Sequence, residues 1–297
     1  LLMFTQLYGQ YLVKNSYLTN EQFLEIVEAE KTTRVKLGLI AVSEKMLTQA
    51  QADEINRLQA RIDRRFGDIA IEKGYLTEEQ VSILLGLQGN PYLSFVQTVV
   101  DKGFLTLQQL EEGLLQCKEK NGFTDDEMEA IKSGDVDLTS KVFIKILQPF
   151  YFDLFQLTLR NIVRFITPHI YMDKVYKTSK LDFEHLALQH SDGAHNICLG
   201  ISGNGLSLLS IANPFAKERF EVIDDDSFDS VCEFINVING LFASELSQSK
   251  VDIDMLPPVY YNQKSIKASD SFYVLPVYIK GSKVEIVIIV DTDYEII

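Results

Sequence analysis

Leucine-threonine pairs followed by a glutamine recur along the first part of the chain at a constant spacing. The pairs are 29 residues apart, at Leu18-Thr19, Leu47-Thr48, Leu76-Thr77 and Leu105-Thr106. A glutamine stands three residues after each threonine, at Gln22, Gln51, Gln80 and Gln109. In this spacing the Thr hydroxyl accepts a hydrogen bond from the backbone N–H of the glutamine, and the glutamine side chain accepts one from the backbone N–H of the threonine. Each threonine is therefore predicted to begin a helix.

A shorter apolar segment precedes each of these helices and ends in a turn. Residues 66–74 read FGDIAIEKG, which predicts a short helix closed by Gly74, and Gly103 stands one period later. A hairpin of two short helices cannot bury its apolar side alone. Residues 1–119 are therefore predicted to form one all-α domain of four stacked helical hairpins.

A charged stretch separates this domain from the rest of the chain. Residues 120–140 contain few large apolar side chains and are predicted to be a connector. One short helix is expected within it, from Thr124 to Gly134. The composition then becomes rich in Phe, Leu and Ile, which indicates a second domain over residues 141–297.

The second domain combines helical and strand-like patterns. A buried helix bent near Pro149 is predicted over 142–166, and a long amphipathic helix over 227–249. Four strands are predicted, at 170–177, 184–190, 195–202 and 206–213. Asn204-Gly205 is predicted to turn the last two into a hairpin, and a second hairpin is expected over 271–291. Helices and strands around one antiparallel sheet make the fold class α+β.

Composition narrows the possible partners and location. The chain has 297 residues and a formal net charge of −14, which disfavours binding to a nucleic acid backbone. No apolar run approaches the roughly 18 residues that span a bilayer, so membrane insertion is not expected. The three cysteines are widely separated, at Cys117, Cys198 and Cys232, which favours the reducing cytoplasm over a disulfide scaffold.

Several familiar chemistries are disfavoured by the residue pattern. The glycine-rich stretch GISGNG at 200–205 is not predicted to bind phosphate, because a strand is expected after it where a phosphate loop needs a helix. His185, His190 and His195 are five residues apart on predicted strands, which does not place metal ligands on one face. No intrinsic metal site and no recognisable serine or cysteine nucleophile are predicted.

The helix predicted over 227–249 has an unusual polar face. Its apolar face is formed by Val231, Phe234, Ile235, Ile238, Leu241, Phe242 and Leu246. Opposite lie Glu233, Asn236 and Gly240, flanked by Ala243, Ser244 and Ser247. Glu233 and Asn236 are three residues apart, so their side chains emerge together. A carboxylate and an amide on small residues suit gripping a cation of a partner protein or orienting a water, although an ordinary surface helix would look similar.

The stretch EFINVINGLF, with the strands around it, resembles the motif helix of the CheC, CheX and FliY chemotaxis phosphatases. The resemblance implies a CheX-like α/β sandwich that dephosphorylates a CheY-type response regulator of bacterial two-component signalling. Glu233 would pair with a lysine of the regulator, Asn236 would position the attacking water, and Asn239, Gly240 and Ser244 would contact the partner. Mg²⁺ would belong to the regulator, and a homodimer is implied. A non-catalytic adaptor that binds the regulator is the alternative.

A second resemblance covers the middle repeats. Residues 36–59 and 65–88 are similar to the tandem motifs of MshEN domains, which bind cyclic-di-GMP, with Phe66 in place of the family's leucine. It implies a cyclic-di-GMP site formed by Lys36, Gly38, Gln59, Arg65, Gly67 and Gln88. Lys36 replaces the arginine of the motif, and an ammonium group cannot form the forked contacts of a guanidinium. The period is explained by the packing of the hairpins, so the sequence favours a helical scaffold that docks protein over a nucleotide-binding site.

Overall fold

The computed structural model describes residues 3–62 and 64–297. The chain divides into two compact units, one formed by Phe4–Gly134 and the other mainly by Asp135–Ile297. The observed class is α+β, as predicted, with helices in the first unit and an antiparallel sheet in the second.

Nine α-helices build the described part of the helical unit. They are α1 (Met3–Lys14), α2 (Asn20–Glu30), α3 (Leu37–Ser43), α4 (Gln49–Gln59), α5 (Phe66–Glu72), α6 (Glu78–Gly86), α7 (Pro91–Asp101), α8 (Leu107–Asn121) and α9 (Asp125–Ser133). All four predicted capping boxes are confirmed, at the starts of α2, α4, α6 and α8. Thr124 caps α9 in the same way, and Gly134 ends it in the left-handed conformation.

In all four periods, one residue in the turn inside the hairpin adopts the left-handed backbone conformation. Gly74 and Gly103 have φ angles of +67° and +69°, as their predicted role requires. Ser16 and Lys45 occupy the equivalent positions with φ angles of +61° and +57°. A side chain with a Cβ is strained in this region, whereas glycine is not.

Replacing Lys45 by glycine is therefore expected to stabilise the helical unit by about 0.5–1 kcal/mol. The matched change, Gly74→Ala, should destabilise it by about 1 kcal/mol, because a Cβ there meets no atom within 4 Å and pays only the backbone strain. Urea unfolding followed by circular dichroism at 222 nm measures both. A loss of stability in Lys45→Gly would contradict the expectation.

Gly9, Gly38 and Gly67 are 29 residues apart, and each permits close helix packing. A Cβ on Gly9 would overlap the Phe23 ring at 2.1 Å, one on Gly38 would crowd the Phe66 ring at 3.0 Å, and one on Gly67 would meet Val81 at 2.8 Å. Packing within the helical unit is thus sufficient to explain why these positions lack a side chain.

The second unit begins with helices α10 (Val136–Phe143) and α11 (Pro149–Asn161), and a π-helical turn, Ile162–Ile166, follows α11. The prediction of one helix bent near Pro149 is wrong, because residues 144–148 interrupt it and Pro149 stands at the first turn of α11. Proline lacks the amide hydrogen that an interior position would donate, whereas the first turn does not need it.

Seven strands form one antiparallel sheet. They are β1 (Ile170–Met172), β2 (Tyr176–Gly193), β3 (Ile197–Gly203), β4 (Ile253–Met255), β5 (Val259–Ile279), β6 (Ser282–Val290) and β7 (Tyr294–Ile296). The order is β1-β5-β6-β3-β2-β4, with β7 on β5. The long strands β2 and β5 also pair with each other, as at Leu181 and Ile266, so the sheet closes on itself. The predicted hairpin over 271–291 is confirmed, and it turns at Lys280-Gly281.

The two faces of β2 contact different parts of this unit. Leu186 and Leu188 join an apolar cluster with residues of β3, β5 and β6. The alternate residue, Gln189, faces the helix layer and is 1% exposed. The helix layer contains α12 (Gly205–Ala216) and α13 (Asp225–Gln248), which pack on the sheet and on each other. The sheet thereby places a buried amide beneath α13.

The strand predicted over 206–213 is wrong, because these residues belong to helix α12. Asn204 caps the helix, and its Oδ1 accepts from the Ser207 amide at 2.9 Å. An Asn-Gly pair can therefore start a helix as readily as it turns a hairpin. A helix therefore follows the glycine-rich stretch at 200–205, although a strand was predicted there. A helix also follows a phosphate loop, but this stretch lacks the Lys-Ser/Thr pair of such loops.

The described residues contain neither a long apolar helix nor a cluster of metal-binding side chains. No helix in residues 3–62 and 64–297 has the length and hydropathy to cross a membrane. No group of three or more His, Cys, Asp and Glu side chains there could hold a metal ion. The three cysteines are buried and free. Burial raises the pKa of the Cys117 and Cys232 thiols to about 11, so neither is a thiolate nucleophile at neutral pH.

Candidate functional site

Helix α13 carries the predicted site and is anchored at both its start and its apolar face. Asp224 caps it, since its Oδ1 accepts from the Ser227 amide at 3.0 Å and its own amide donates to the Ser227 hydroxyl at 2.7 Å. The hydrogen bond from the Ser227 amide holds the pKa of Asp224 below its usual value. The predicted apolar face is buried at Val231, Phe234, Ile235, Ile238, Phe242 and Leu246. Leu241 is the exception, because it is 41% exposed.

Glu233 and Asn236 emerge together on the outer side of α13. Glu233 is exposed and Asn236 is half-buried. The Nδ2 of Asn236 lies 3.4 Å from Oε2 of Glu233 and donates to it. A contact of that length is weak, so the carboxylate stays available to a cation. The pair can thus bind a cation and a water at adjacent positions.

Gln189 on β2 holds Asn236 from beneath, and the sequence reasoning did not identify it. Its Nε2 donates to Oδ1 of Asn236 at 2.8 Å and to the Leu256 carbonyl at 2.8 Å. Its Oε1 accepts from Nδ2 of Asn239 at 2.8 Å. The sequence feature that could have pointed to Gln189 is its position as the one polar residue at the end of the apolar run LALQ, residues 186–189.

The three residues predicted to contact a partner are in different environments. Asn239 is 2% exposed and bonded to Gln189, so it cannot take part in a direct surface contact. Ser244 is exposed, and its hydroxyl donates to the Gly240 carbonyl at 2.8 Å. A Cβ on Gly240 would make an ordinary contact of 3.8 Å with Met255, so packing within this unit does not require a glycine there. Gly240 and Ser244 thus share the outer side of α13 with Glu233, and Asn239 does not.

The six residues predicted for cyclic-di-GMP meet in one groove of the helical unit. Its cavity volume is about 1040 Å³. Lys36, Gly38, Gln59, Arg65, Gly67 and Gln88 all line it. Arg34 adds a further cation, and Phe66 and Leu85 add apolar surface. Lys36 also pairs with Asp101 at 2.8 Å. The groove therefore combines cationic, amide and apolar groups with one carboxylate, Asp68.

The two middle repeats, residues 36–59 and 65–88, are joined at this groove by a matching pair of hydrogen bonds. Nε2 of Gln59 donates to the Arg64 carbonyl at 3.1 Å, and Nε2 of Gln88 donates to the Val35 carbonyl at 2.9 Å. The two glutamines are one period apart, and so are the two carbonyls. The glutamine at the end of each repeat thus donates a hydrogen bond to the residue just before the other repeat. This exchange gives the groove an approximate two-fold symmetry.

Residues 186–286 match the model of a family described as the chemotaxis phosphatase CheX. No curated protein matches the chain. Solved structures that match the chain include a chemotaxis protein CheX from Desulfovibrio desulfuricans, at 13% identity and a TM-score of 0.40, which covers 46% of this chain and 95% of that one.

Two further solved structures have comparable similarity. A CheC-like superfamily protein from Shewanella sp. PV-4 is 19% identical, with a TM-score of 0.42 over 48% of this chain and 96% of that one. A CheX-CheY-BeF3-Mg+2 complex from Borrelia burgdorferi gives 16% identity and a TM-score of 0.37 over 47% of this chain and 94% of that one. The family match at 186–286 includes Gln189, Glu233 and Asn236, and it confirms that the C-terminal part of this chain carries a CheX-like domain.

Proposed function

We propose that the C-terminal unit hydrolyses the aspartyl phosphate of a CheY-type response regulator. The observation that carries the proposal is the pairing of exposed Glu233 with Asn236 on α13, within a stretch that matches the CheX family model. The burial of Cys232 next to Glu233 agrees with hydrolysis by a positioned water, because no thiolate nucleophile competes with it.

The two side chains have distinct roles in this proposal. The Glu233 carboxylate pairs with a lysine of the regulator and so fixes the docked orientation. Asn236 holds a water in line with the phosphorus. The water oxygen forms a new bond to phosphorus as the bond to the aspartate oxygen breaks, and one water proton passes to the released phosphate. The products are a free aspartate carboxylate and inorganic phosphate, and the rate gain comes from orientation.

The surface beside the pair suits contact with a protein. Gly240 lets another chain approach α13 closely, although packing within the unit does not require a glycine there. Exposed apolar side chains lie nearby, namely Leu241, Met255 and Leu256, at 41%, 39% and 44% exposure. Exposed apolar groups grouped around a polar pair are typical of a binding surface. Docking there would bring the phosphorylated aspartate to Asn236.

Glu233→Ala is expected to weaken binding to the phosphorylated regulator by about tenfold, because the partner lysine loses its counter-charge. The control is Asp229→Ala, which removes another exposed carboxylate from α13 and should change affinity by less than about twofold. Titration of each variant with a beryllofluoride-activated regulator measures both. Equal losses in the two variants would show that general negative charge, and not Glu233, governs docking.

The adaptor alternative makes a different prediction for the same assays. An adaptor binds the activated regulator through Glu233 but leaves the rate of phosphate release unchanged. The half-buried, hydrogen-bonded position of Asn236 favours the enzyme, because a water-orienting side chain must itself be held in place. Homodimer formation remains a prediction that size measurement in solution can test.

We propose a second activity for the helical unit, the binding of cyclic-di-GMP. Its support is the convergence of all six predicted residues on one groove of approximate two-fold symmetry. The ligand has the same symmetry, two phosphates for the cations of the groove and two guanines for stacking on guanidinium groups. Protein docking by a bare scaffold does not require the cations Lys36 and Arg65 to line the same cavity.

Arg65→Ala is expected to weaken cyclic-di-GMP binding by at least about tenfold, since it removes the one motif arginine from the groove. Arg57→Ala is the matched control, because Arg57 is exposed in the same unit and does not line the groove. Calorimetric titration of the full chain compares them. No binding by the wild-type chain at 100 μM ligand would refute this activity.

A further inference from the structure

We propose that Gln189 is a positioning residue of the phosphatase site, which turns the N–H groups of the Asn236 amide toward the partner. The inference rests on the proposed function of Glu233 and Asn236. It concerns a residue on a different element, because Gln189 lies on β2 and the other two on α13.

A backbone carbonyl fixes the direction of every amide in the network. The Leu256 carbonyl can only accept a hydrogen bond, so the Gln189 atom 2.8 Å from it must be Nε2. The same Nε2 lies 2.8 Å from Asn236, whose facing atom must therefore be the acceptor Oδ1. Nδ2 of Asn236 is left on the outer side, beside Glu233. Reversing Asn236 alone would set two N–H groups against each other.

Burial makes this arrangement hard to change. Gln189 is 1% exposed and Asn239 is 2% exposed. Oε1 of Gln189 is occupied by Nδ2 of Asn239 at 2.8 Å, so the Gln189 amide is held at both ends. A buried amide that loses its partners cannot replace them with water, so rotation of Gln189 is disfavoured. Asn236 is thus held by a group that is itself fixed.

The orientation determines how Asn236 can hold the attacking water. Nδ2 donates a hydrogen bond to one lone pair of the water oxygen and leaves the other lone pair free to form the bond to phosphorus. Oδ1 already accepts a hydrogen bond from Gln189, so Nδ2, which lies beside the exposed Glu233, is the end of the amide offered to the water. A freely rotating Asn236 would present the correct end only part of the time, and small misplacements cost rate steeply.

Gln189→Leu tests the role by separating rate from affinity. We expect kcat for phosphate release to fall about tenfold or more, while affinity for the beryllofluoride-activated regulator changes by less than about twofold. In an Asn236→Ala background, Gln189→Leu should lower kcat no further, because Gln189 acts through Asn236. Gln189→Glu should lower kcat as well, because its carboxylate oxygen cannot donate to Oδ1. Additive losses in the double variant would overturn the proposal.

The control is Gln156→Leu, which removes another buried amide of the same unit, one bonded to Ser140 at 3.1 Å. It should leave kcat unchanged. Side-chain amide hydrogen exchange in the wild-type protein, followed by NMR, is an independent measurement. We expect slow exchange at Gln189 and Asn239 and fast exchange at Asn236, and fast exchange at Gln189 would overturn the proposal. If the wild-type chain releases no phosphate, the proposed function fails, whereas the exchange pattern still decides whether Gln189 holds Asn236.

Discussion

Asn236→Ala is expected to lower phosphate release from the phosphorylated regulator by about 100-fold, the cost of losing a precisely placed group in a reaction governed by orientation. Binding should survive, because Glu233, Gly240 and the exposed apolar residues around them are unchanged. The expected signature is therefore a loss in kcat with little change in the affinity for a beryllofluoride-activated regulator.

The control for this prediction is Asp229→Ala, which alters the same face of α13 one turn before Glu233 and should retain the full rate. Stopped-flow measurement of phosphate release at saturating regulator gives kcat for each variant. A variant lacking Asn236 that keeps the wild-type rate would show that another group orients the water.

Glu30→Gln is expected to have the largest effect on stability, an effect that develops as the pH rises from about 4.5 to about 7 and is fully present above that range. Glu30 ends α2, is 8% exposed, and accepts from the Thr5 hydroxyl at 2.9 and 3.0 Å. Burial raises the pKa of Glu30 from 4.5 to about 7, although the Thr5 hydrogen bond opposes the rise. The folded chain therefore binds this proton more tightly than the unfolded chain.

The sign of the pH dependence follows from that difference. The stability due to this proton is fully present below about pH 4.5 and is lost as the pH rises through about 7. A rise of this size corresponds to about 3 kcal/mol at pH 8. Glu30→Gln removes the ionisation, so it should match the wild type at pH 4.5 and exceed it by up to about 3 kcal/mol at pH 8.

Urea unfolding of the helical unit at the two pH values measures this difference. Glu119→Gln is the control, since it removes an exposed carboxylate from α8 and leaves the buried Glu30 unchanged. A Glu30→Gln variant less stable than the wild type at pH 8 would contradict the assignment of a neutral, buried Glu30.

The helical repeats could be predicted almost completely from the sequence, because their determinants are local. A capping box uses two residues three positions apart, so Thr19 with Gln22 specifies a helix start without reference to the rest of the chain. The left-handed turns at Gly74 and Gly103 are equally local, and both were predicted. Their non-glycine equivalents were not, because Ser16 and Lys45 adopt the turn against their own preference.

The errors in the second unit have tertiary causes. Asn204-Gly205 fits both a hairpin turn and a helix start, and contacts of α12 with α13 and the sheet decide between them. Pro149 was placed in the right segment, but its position relative to the helix start was not determined by the pattern. Burial of Asn239 depends on Gln189, which lies 50 residues earlier.

The same difference between local and tertiary determinants applies to the candidate site. Glu233 and Asn236 could be identified because their spacing on a helix is local and their motif resembles a known one. Gln189 could not, because it meets Asn236 only when β2 packs beneath α13, and the contact spans 47 residues. Likewise the period relates Gln59 to Gln88, but only the folded unit shows that each braces the opposite repeat.

The most direct test of the central proposal is the rate of phosphate release from phosphorylated response regulators of the same genome, with and without the wild-type chain. We predict that at least one regulator loses its phosphate faster in the presence of this protein, at a rate that saturates with the concentration of the chain. If regulators bind the chain and none is dephosphorylated faster, the enzyme proposal is wrong and the domain is an adaptor.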